Sequence, residues 1–88
     1  MKMIIAILKD DDVDNVLQAL TTTGFRVTRV ASTGGFFRKG NTTLLIGVEN
    51  GQVDSAIETL RKNTTASTEE GGKRGTVFVV PVDRYEQI

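Results

Sequence analysis

A glycine-rich segment near the middle of the chain carries the side chains needed to hold an anionic nucleotide. Residues 32–43 have the sequence STGGFFRKGNTT. Glycines let backbone amides approach an anion closely, arginine and lysine supply the opposite charge, and hydroxyl groups add hydrogen-bond donors. An aromatic plane can stack on a base. These residue types favour binding of a nucleotide or phosphate over the breaking of a bond.

The same segment has a plainer interpretation as a hairpin connection between two strands. Turns favour glycine and asparagine for backbone reasons alone, and the spacing matches neither a P-loop nor a dinucleotide-binding fingerprint. A minimal hairpin would not need the adjacent Phe36 and Phe37. We expect one of them to reach the core or an interface, and the segment alone leaves both interpretations open.

Two further groups of polar side chains could take part in such a site. Arg26 and Thr28 occupy alternate positions of a predicted strand and therefore point to the same face. Arg26 could bind a phosphate through two hydrogen bonds and Thr28 could donate a third, although a surface or interface ion pair is the commoner role of an arginine. Gln87 offers a donor and an acceptor, which suits the edge of a purine, although residues near a chain end are often frayed.

Composition argues against catalysis and against several classes of partner. The chain has 88 residues, 11 basic and 11 acidic side chains, and no cysteine or histidine. A general nucleic-acid binder would carry a basic excess, and the usual general bases, thiol nucleophiles and zinc-ligand spacings are absent. We therefore expect a non-enzymatic protein with no catalytic residues, no metal, no cofactor and no nucleic-acid partner.

The apolar run at the start of the chain does not indicate a membrane protein. Residues 1–8 are mostly apolar, but the run is too short for a signal peptide or a membrane span, and acidic residues follow it directly. The sequence therefore predicts a soluble cytoplasmic protein without a membrane partner.

A repeated pattern of strands and helices predicts the fold that must position these residues. Apolar, β-branched runs predict strands at Met3–Leu8, Phe25–Ala31, Thr43–Val48 and Thr76–Val82. Two stripes with the same helical spacing predict amphipathic helices: Val13, Val16, Leu17 and Leu20, then Val53, Ala56, Ile57 and Leu60. Gly24 is placed for a left-handed cap at the end of the first helix. The order β-α-β-β-α-β predicts one α+β ferredoxin-like domain over residues 1–88, with an antiparallel sheet and two helices on one face.

The strands are apolar on both faces, which bears on quaternary structure. A sheet with helices on one face should alternate apolar and polar residues, but Met3–Leu8 and residues 77–80 do not. Copies of the chain packing together, in a closed ring, would cover the second face. The alternative is a monomer with scattered apolar residues on its surface.

Several runs together resemble one known family. These are residues 25–28 (FRVT), 33–36 (TGGF), 40–43 (GNTT), 46–48 (IGV) and 76–82 (TVFVVPV), with Gln87 close behind. They resemble the PII-like cyclic-di-AMP receptor family, the PstA or DarA proteins. The resemblance implies a homotrimer of ferredoxin-like subunits with cyclic di-AMP bound in clefts between neighbours, and a signal passed to an unknown downstream protein.

The resemblance also implies a role for individual residues. Arg26, Thr28 and Gly35 would contact the phosphates. The residues that would hold an adenine are Phe36, Phe37, Asn41, Gly47 and Gln87.

The chain departs from the family pattern at two places. Gly24 stands where the family has an asparagine that helps the phosphate site, and the second loop, residues 63–75, is markedly shorter. That loop has no large apolar residue, so it is either a solvated connection or a flap over a site. The alternative function is a PII-like trimer that binds another adenine nucleotide or only a protein partner. Sensing of ATP or ADP is disfavoured because no basic cluster suited to a triphosphate is visible.

Overall fold

The computed structural model of the chain describes residues 1–32, 40–65 and 74–88, with the side chains of residues 31 and 32 excepted. Its strands are β1 (Lys2–Lys9), β2 (Arg26–Ser32), β3 (Asn41–Val48) and β4 (Gly75–Pro81). Its helices are α1 (Asp10–Thr23) and α2 (Val53–Lys62), the latter preceded by a single 3₁₀ turn at Asn50–Gln52.

The strands form one four-stranded sheet in the order β2-β3-β1-β4. Every neighbouring pair is antiparallel. Since the two strands at the centre, β1 and β3, are separated in the chain by α1 and β2, the topology is the β-α-β-β-α-β arrangement of an α+β ferredoxin-like fold. The predicted fold class is confirmed.

Both helices pack on the same face of the sheet. Alternate residues of the central strands are buried there: Ile4, Ala6 and Leu8 from β1, and Leu44, Ile46 and Val48 from β3. The helices contribute Val13, Val16 and Leu20 from α1, and Ala56 and Leu60 from α2, to the same apolar cluster. The predicted stripes are therefore the core-facing sides of the helices. Each large aliphatic side chain in the cluster stabilises the fold by about 1.5–3 kcal/mol relative to exposure.

Gly24 ends α1 and directs the chain into β2. Its backbone has φ 99°, in the left-handed region, and its N–H points to the carbonyl groups of Leu20 and Thr21. The next N–H, that of Phe25, donates to the Leu20 carbonyl at 2.9 Å. Glycine adopts this conformation without steric cost, so the predicted cap is confirmed.

The second face of the sheet, here called the open face, carries no helix. It includes the half-buried side chains of Met3, Ile5 and Ile7 from β1, and Leu45 from β3. β4 adds Phe78, which is 53% exposed, opposite Ile5. The strands are therefore apolar on both faces, as their sequences indicate.

Candidate functional site

The strand register places Arg26, Thr28 and Gly47 together on the open face. Arg26 lies opposite Gly47, and Thr28 lies opposite Leu45, in the β2–β3 pair. Directly opposed residues of antiparallel strands share a face and have Cβ atoms about 5 Å apart. Gly47 in turn lies opposite Met3 of β1. The two predicted phosphate-binding side chains and the predicted adenine-binding glycine are therefore neighbours.

Packing within the chain does not require a glycine at position 47. A Cβ added there would meet no heavy atom within 4 Å, and its φ does not lie in the left-handed region, where Gly24 is the only glycine of the described residues. A glycine inside a strand is destabilising relative to alanine, and it often marks the close approach of a ligand or another backbone. Gly75 is a contrast, because a Cβ there would lie 2.7 Å from Leu8 Cδ2. We conclude that the space over Gly47 is open to a group from outside the chain.

Arg26 forms no ion pair with any residue that the structure describes, and its side chain is exposed. Arg29, three residues further along β2, instead places Nη2 3.4 Å from Asp14 Oδ1. The surface ion pair considered as an alternative for Arg26 is thus found at Arg29. Within the described part of the chain, the charge of Arg26 is available to an anion.

The segment after β4, residues 82–88 (the tail), crosses one end of the sheet towards Arg26. The Val82 N–H donates to the Met1 carbonyl at 3.2 Å, beside the start of β1. Further along, Arg26 Nη1 lies 3.5 Å from the hydroxyl of Tyr85. The first contact lies at the start of β1 and the second at β2, so the Arg26–Tyr85 pair bridges the end of β3, which lies between these two strands. Gln87 follows Tyr85 by two residues, so their Cα atoms are within about 7 Å, and Gln87 lies at the same end of the sheet.

Asn41 lies at the other end of the sheet. It is the first residue of β3, it is exposed, and it lies opposite Lys9. An extended strand places Asn41 about 20 Å from Gly47. Gly35, Phe36 and Phe37 lie outside the described residues, and they precede Asn41 in the chain. Within one copy of the chain, the Arg26–Gly47 region and Asn41 therefore lie at opposite ends of the sheet.

Two grooves on the helix side of the molecule do not contain the candidate residues. One, of about 410 Å³, lies between α2 and β4 and includes Arg61 and Arg74 over an apolar floor. The other, of about 440 Å³, lies between the helices and is lined mainly by hydroxyl and amide side chains. Neither groove includes Arg26, Thr28 or Gly47.

Residues 1–32, 40–65 and 74–88 contain neither a metal-binding cluster nor a helix suited to span a membrane. In these residues no group of three or more acidic, cysteine or histidine side chains is arranged to hold a metal ion. None of the helices they form combines the length and the apolar character that crossing a membrane requires.

The sequence interpretation gave no role to Tyr85, which the structure places against Arg26. The only available signal was the position of an aromatic residue two places before Gln87. Nothing in the local pattern of the tail predicts the contact of Tyr85 with Arg26 of β2.

Comparison with known proteins shows the family to which this chain belongs. A family model described as "Cyclic-di-AMP receptor" matches residues 1–71. The chain belongs to this receptor family. The matched range includes Arg26, Thr28, Asn41, Gly47 and the glycine-rich segment of this chain, whereas Gln87 lies beyond the match.

A solved structure is also similar to this chain. It is the crystal structure of a functionally unknown protein from Pediococcus pentosaceus ATCC 25745, with 30% sequence identity and a TM-score of 0.79. The similarity covers 99% of this chain and 96% of that chain. It therefore extends over β4 and the tail, which the family model does not match.

Proposed function

We propose that the protein is a non-enzymatic, cytoplasmic signal-transduction receptor that binds cyclic di-AMP in clefts between the subunits of a homotrimer. Residues 1–88 act as one PII-like domain in this proposal. Membership of a cyclic-di-AMP receptor family supports the choice of ligand. The observation that carries the proposal is the placement of Arg26, without an ion pair in the described residues, beside the open space over Gly47.

The chemistry of the Arg26 region suits a phosphodiester. The guanidinium group of Arg26 presents several N–H donors in a plane, which matches two oxygens of one phosphate. Thr28 lies on the same face of β2, two residues further along, and can donate its hydroxyl hydrogen. Gly47 leaves room beside this phosphate for an adenine to approach the backbone of β3. Arg26, Thr28 and Gly35 are proposed as phosphate contacts, as the family resemblance implies.

The rest of the proposed site comes from a neighbouring subunit. Asn41 lies at the opposite end of the sheet from Arg26 and Gly47, and Phe36 and Phe37 precede Asn41 in the chain. This separation supports a ligand position between two copies of the chain, where Asn41 comes from one copy and Arg26 and Gly47 from the other. Gln87, at the Arg26 end, is proposed to hold an adenine edge on that side of the cleft.

The open face supplies a reason for copies to associate. Met3, Ile5, Leu45 and Phe78 form an apolar surface that a single chain leaves accessible. Apolar area removed from water stabilises an assembly by about 25 cal/mol for each Å². Closed symmetric rings are a common way to cover such a surface. In the homotrimer, ligand binding would then alter a surface that an unknown downstream protein recognises.

Isothermal titration calorimetry tests the proposal with a matched pair of variants. The wild-type protein should bind cyclic di-AMP saturably and should bind ATP and ADP weakly. Arg26→Ala should weaken binding by about 1.5–3 kcal/mol, since a charge-assisted contact is lost. Arg29→Ala removes an exposed arginine from the same strand but not from the proposed site, so its affinity should equal that of the wild type.

Three results would contradict parts of this proposal. No heat and no thermal shift with cyclic di-AMP would exclude the ligand. Equal affinities of Arg26→Ala and the wild type would assign Arg26 a structural role. Binding of a different adenine nucleotide, or of none, would favour the alternative of a PII-like protein with another ligand or only a protein partner.

A further inference from the structure

The phenol group beside Arg26 belongs to the single tyrosine of the chain, which has no tryptophan. Tyr85 is 55% exposed. Its hydroxyl oxygen accepts a long hydrogen bond, 3.5 Å, from Arg26 Nη1. The partners are 59 positions apart in the sequence, on a strand and on the tail. The contact therefore joins two elements that meet only through the tertiary fold.

We propose that Tyr85 is a positioning residue for Arg26 and that the tail forms one wall of the phosphate end of the site. This inference rests on the proposed function, because it specifies how the same site holds its ligand.

The donors and acceptors of the pair are compatible with a bound phosphate. The guanidinium group has five N–H donors, and the contact with Tyr85 uses one of them. The phenol oxygen accepts that hydrogen bond, so its own O–H remains available to donate to a phosphate oxygen. Arg26 and Tyr85 can therefore bind one phosphate together without breaking the contact between them.

Positioning matters because Arg26 is exposed on an edge strand. A free arginine side chain loses about 2 kcal/mol of rotamer entropy when it is fixed. A partner that restricts the side chain before the ligand arrives reduces this cost at the moment of binding. Tyr85 can act as that partner because the tail is anchored to Met1 by the Val82 hydrogen bond.

A double-mutant cycle measures this coupling by calorimetry with cyclic di-AMP. Tyr85→Phe removes only the hydroxyl group and keeps the ring, so the melting temperature should hardly change. We expect about a 3- to 10-fold loss of affinity, the range for one hydrogen bond. In the Arg26→Ala background the same change should cost less affinity than it does in the wild type, because the side chain that Tyr85 positions is absent and only the hydrogen bond from the Tyr85 hydroxyl to the phosphate is lost.

Tyrosine fluorescence tests the pair without the ligand. Emission comes from Tyr85 alone, and a cation next to it concentrates iodide, an anionic quencher. The ratio of iodide to acrylamide quenching should fall in Arg26→Ala and should be unchanged in Arg29→Ala. Acrylamide is neutral, so the ratio corrects for any change in the exposure of the ring.

The outcomes separate failure of this inference from failure of the proposed function. If the wild type binds cyclic di-AMP but Tyr85→Phe binds equally well, or loses the same factor in both backgrounds, the positioning role is wrong. An unchanged quenching ratio in Arg26→Ala would also overturn it, because the pair would then not form in solution. If the wild type does not bind the ligand, the proposed function fails and the phosphate role of Tyr85 fails with it, even if the quenching ratio falls.

Discussion

Replacing Gly47 with valine should change stability and ligand binding in opposite directions. Gly47 is inside β3, where glycine is less stable than alanine by about 0.5–1 kcal/mol. Valine is favoured in strands, and the added Cβ would meet no heavy atom of the chain within 4 Å. The free energy of unfolding should therefore rise by about 0.5–1 kcal/mol. For a domain of this size the melting temperature rises about 4–8 °C for each kcal/mol.

Binding should weaken because the valine side chain fills the space beside Arg26 that we assign to an adenine. We expect a loss of affinity for cyclic di-AMP of at least about tenfold, or 1.4 kcal/mol. Thermal denaturation without ligand measures the first effect and isothermal titration calorimetry measures the second. Light scattering on the same samples determines whether the subunit assembly is unchanged.

Two other glycines provide controls. Gly51→Ala also adds a Cβ that meets nothing within 4 Å, but in the 3₁₀ turn that follows β3 and outside the β2–β3 pair that holds Arg26, so binding should be unaffected. Gly75→Ala should destabilise the protein, because its Cβ would lie 2.9 Å from the backbone oxygen of Ile7. Wild-type affinity in Gly47→Val would refute the assignment of this space to the ligand. A large drop in its melting temperature would refute the accessibility of the space itself.

Three further substitutions test other parts of the account. Asparagine tolerates the left-handed conformation, so Gly24→Asn should preserve the C-terminal end of α1. Calorimetry should show that this variant binds cyclic di-AMP more tightly than the wild type. Gly24→Ala should instead lower the melting temperature and should not bind the ligand more tightly. Phe78→Lys places a charge on the open face, at a side chain that is 53% exposed. Light scattering should then detect dissociation of the subunit assembly, while the circular dichroism spectrum of the fold stays unchanged. An intact assembly would exclude this face as the interface between subunits. The Thr65 hydroxyl donates to the buried carboxylate of Asp12, whose other oxygen has no partner in the described residues, so Thr65→Val should cost about 1–3 kcal/mol in urea unfolding. Thr64→Val removes a hydroxyl that donates to an exposed carbonyl, and an equal loss in that control would contradict the role given to Asp12.

The strands and helices could be predicted from sequence because the hydrophobic periodicity, the β-branched strand residues and the helix-ending Gly24 all indicate the same elements. The predicted strand Met3–Leu8 is observed as Lys2–Lys9, and Thr76–Val82 as Gly75–Pro81. Arg26 and Thr28 share a face, as strand alternation requires. Gly24 has the left-handed conformation that ends a helix.

Features that depend on contacts distant in sequence could not be predicted in this way. The pairing of Arg26 with Gly47 depends on the register between β2 and β3, which shifts between Arg29 and Ala31. The contact of Tyr85 with Arg26 depends on which strands lie next to one another in the sheet. The burial of Asp12 is a further example, since an acid near the start of a helix is usually solvated.

The described part of the chain includes Arg26, Thr28, Asn41, Gly47 and Gln87 of the candidate site. The structure brings Arg26, Thr28 and Gly47 together and leaves Asn41 at the far end of β3. The roles of Gly35, Phe36 and Phe37 stay predictions, because these residues lie outside the described part of the chain. A cleft between subunits cannot be derived from the pattern of one chain, since its two sides belong to different copies.

A crystal structure of the protein with cyclic di-AMP tests the central claim most directly. We expect the ligand between two protomers, with a phosphate within hydrogen-bond distance of Arg26 and an adenine over Gly47. Cyclic di-AMP bound entirely within one protomer, or in the groove beside Arg61 and Arg74, would contradict the account.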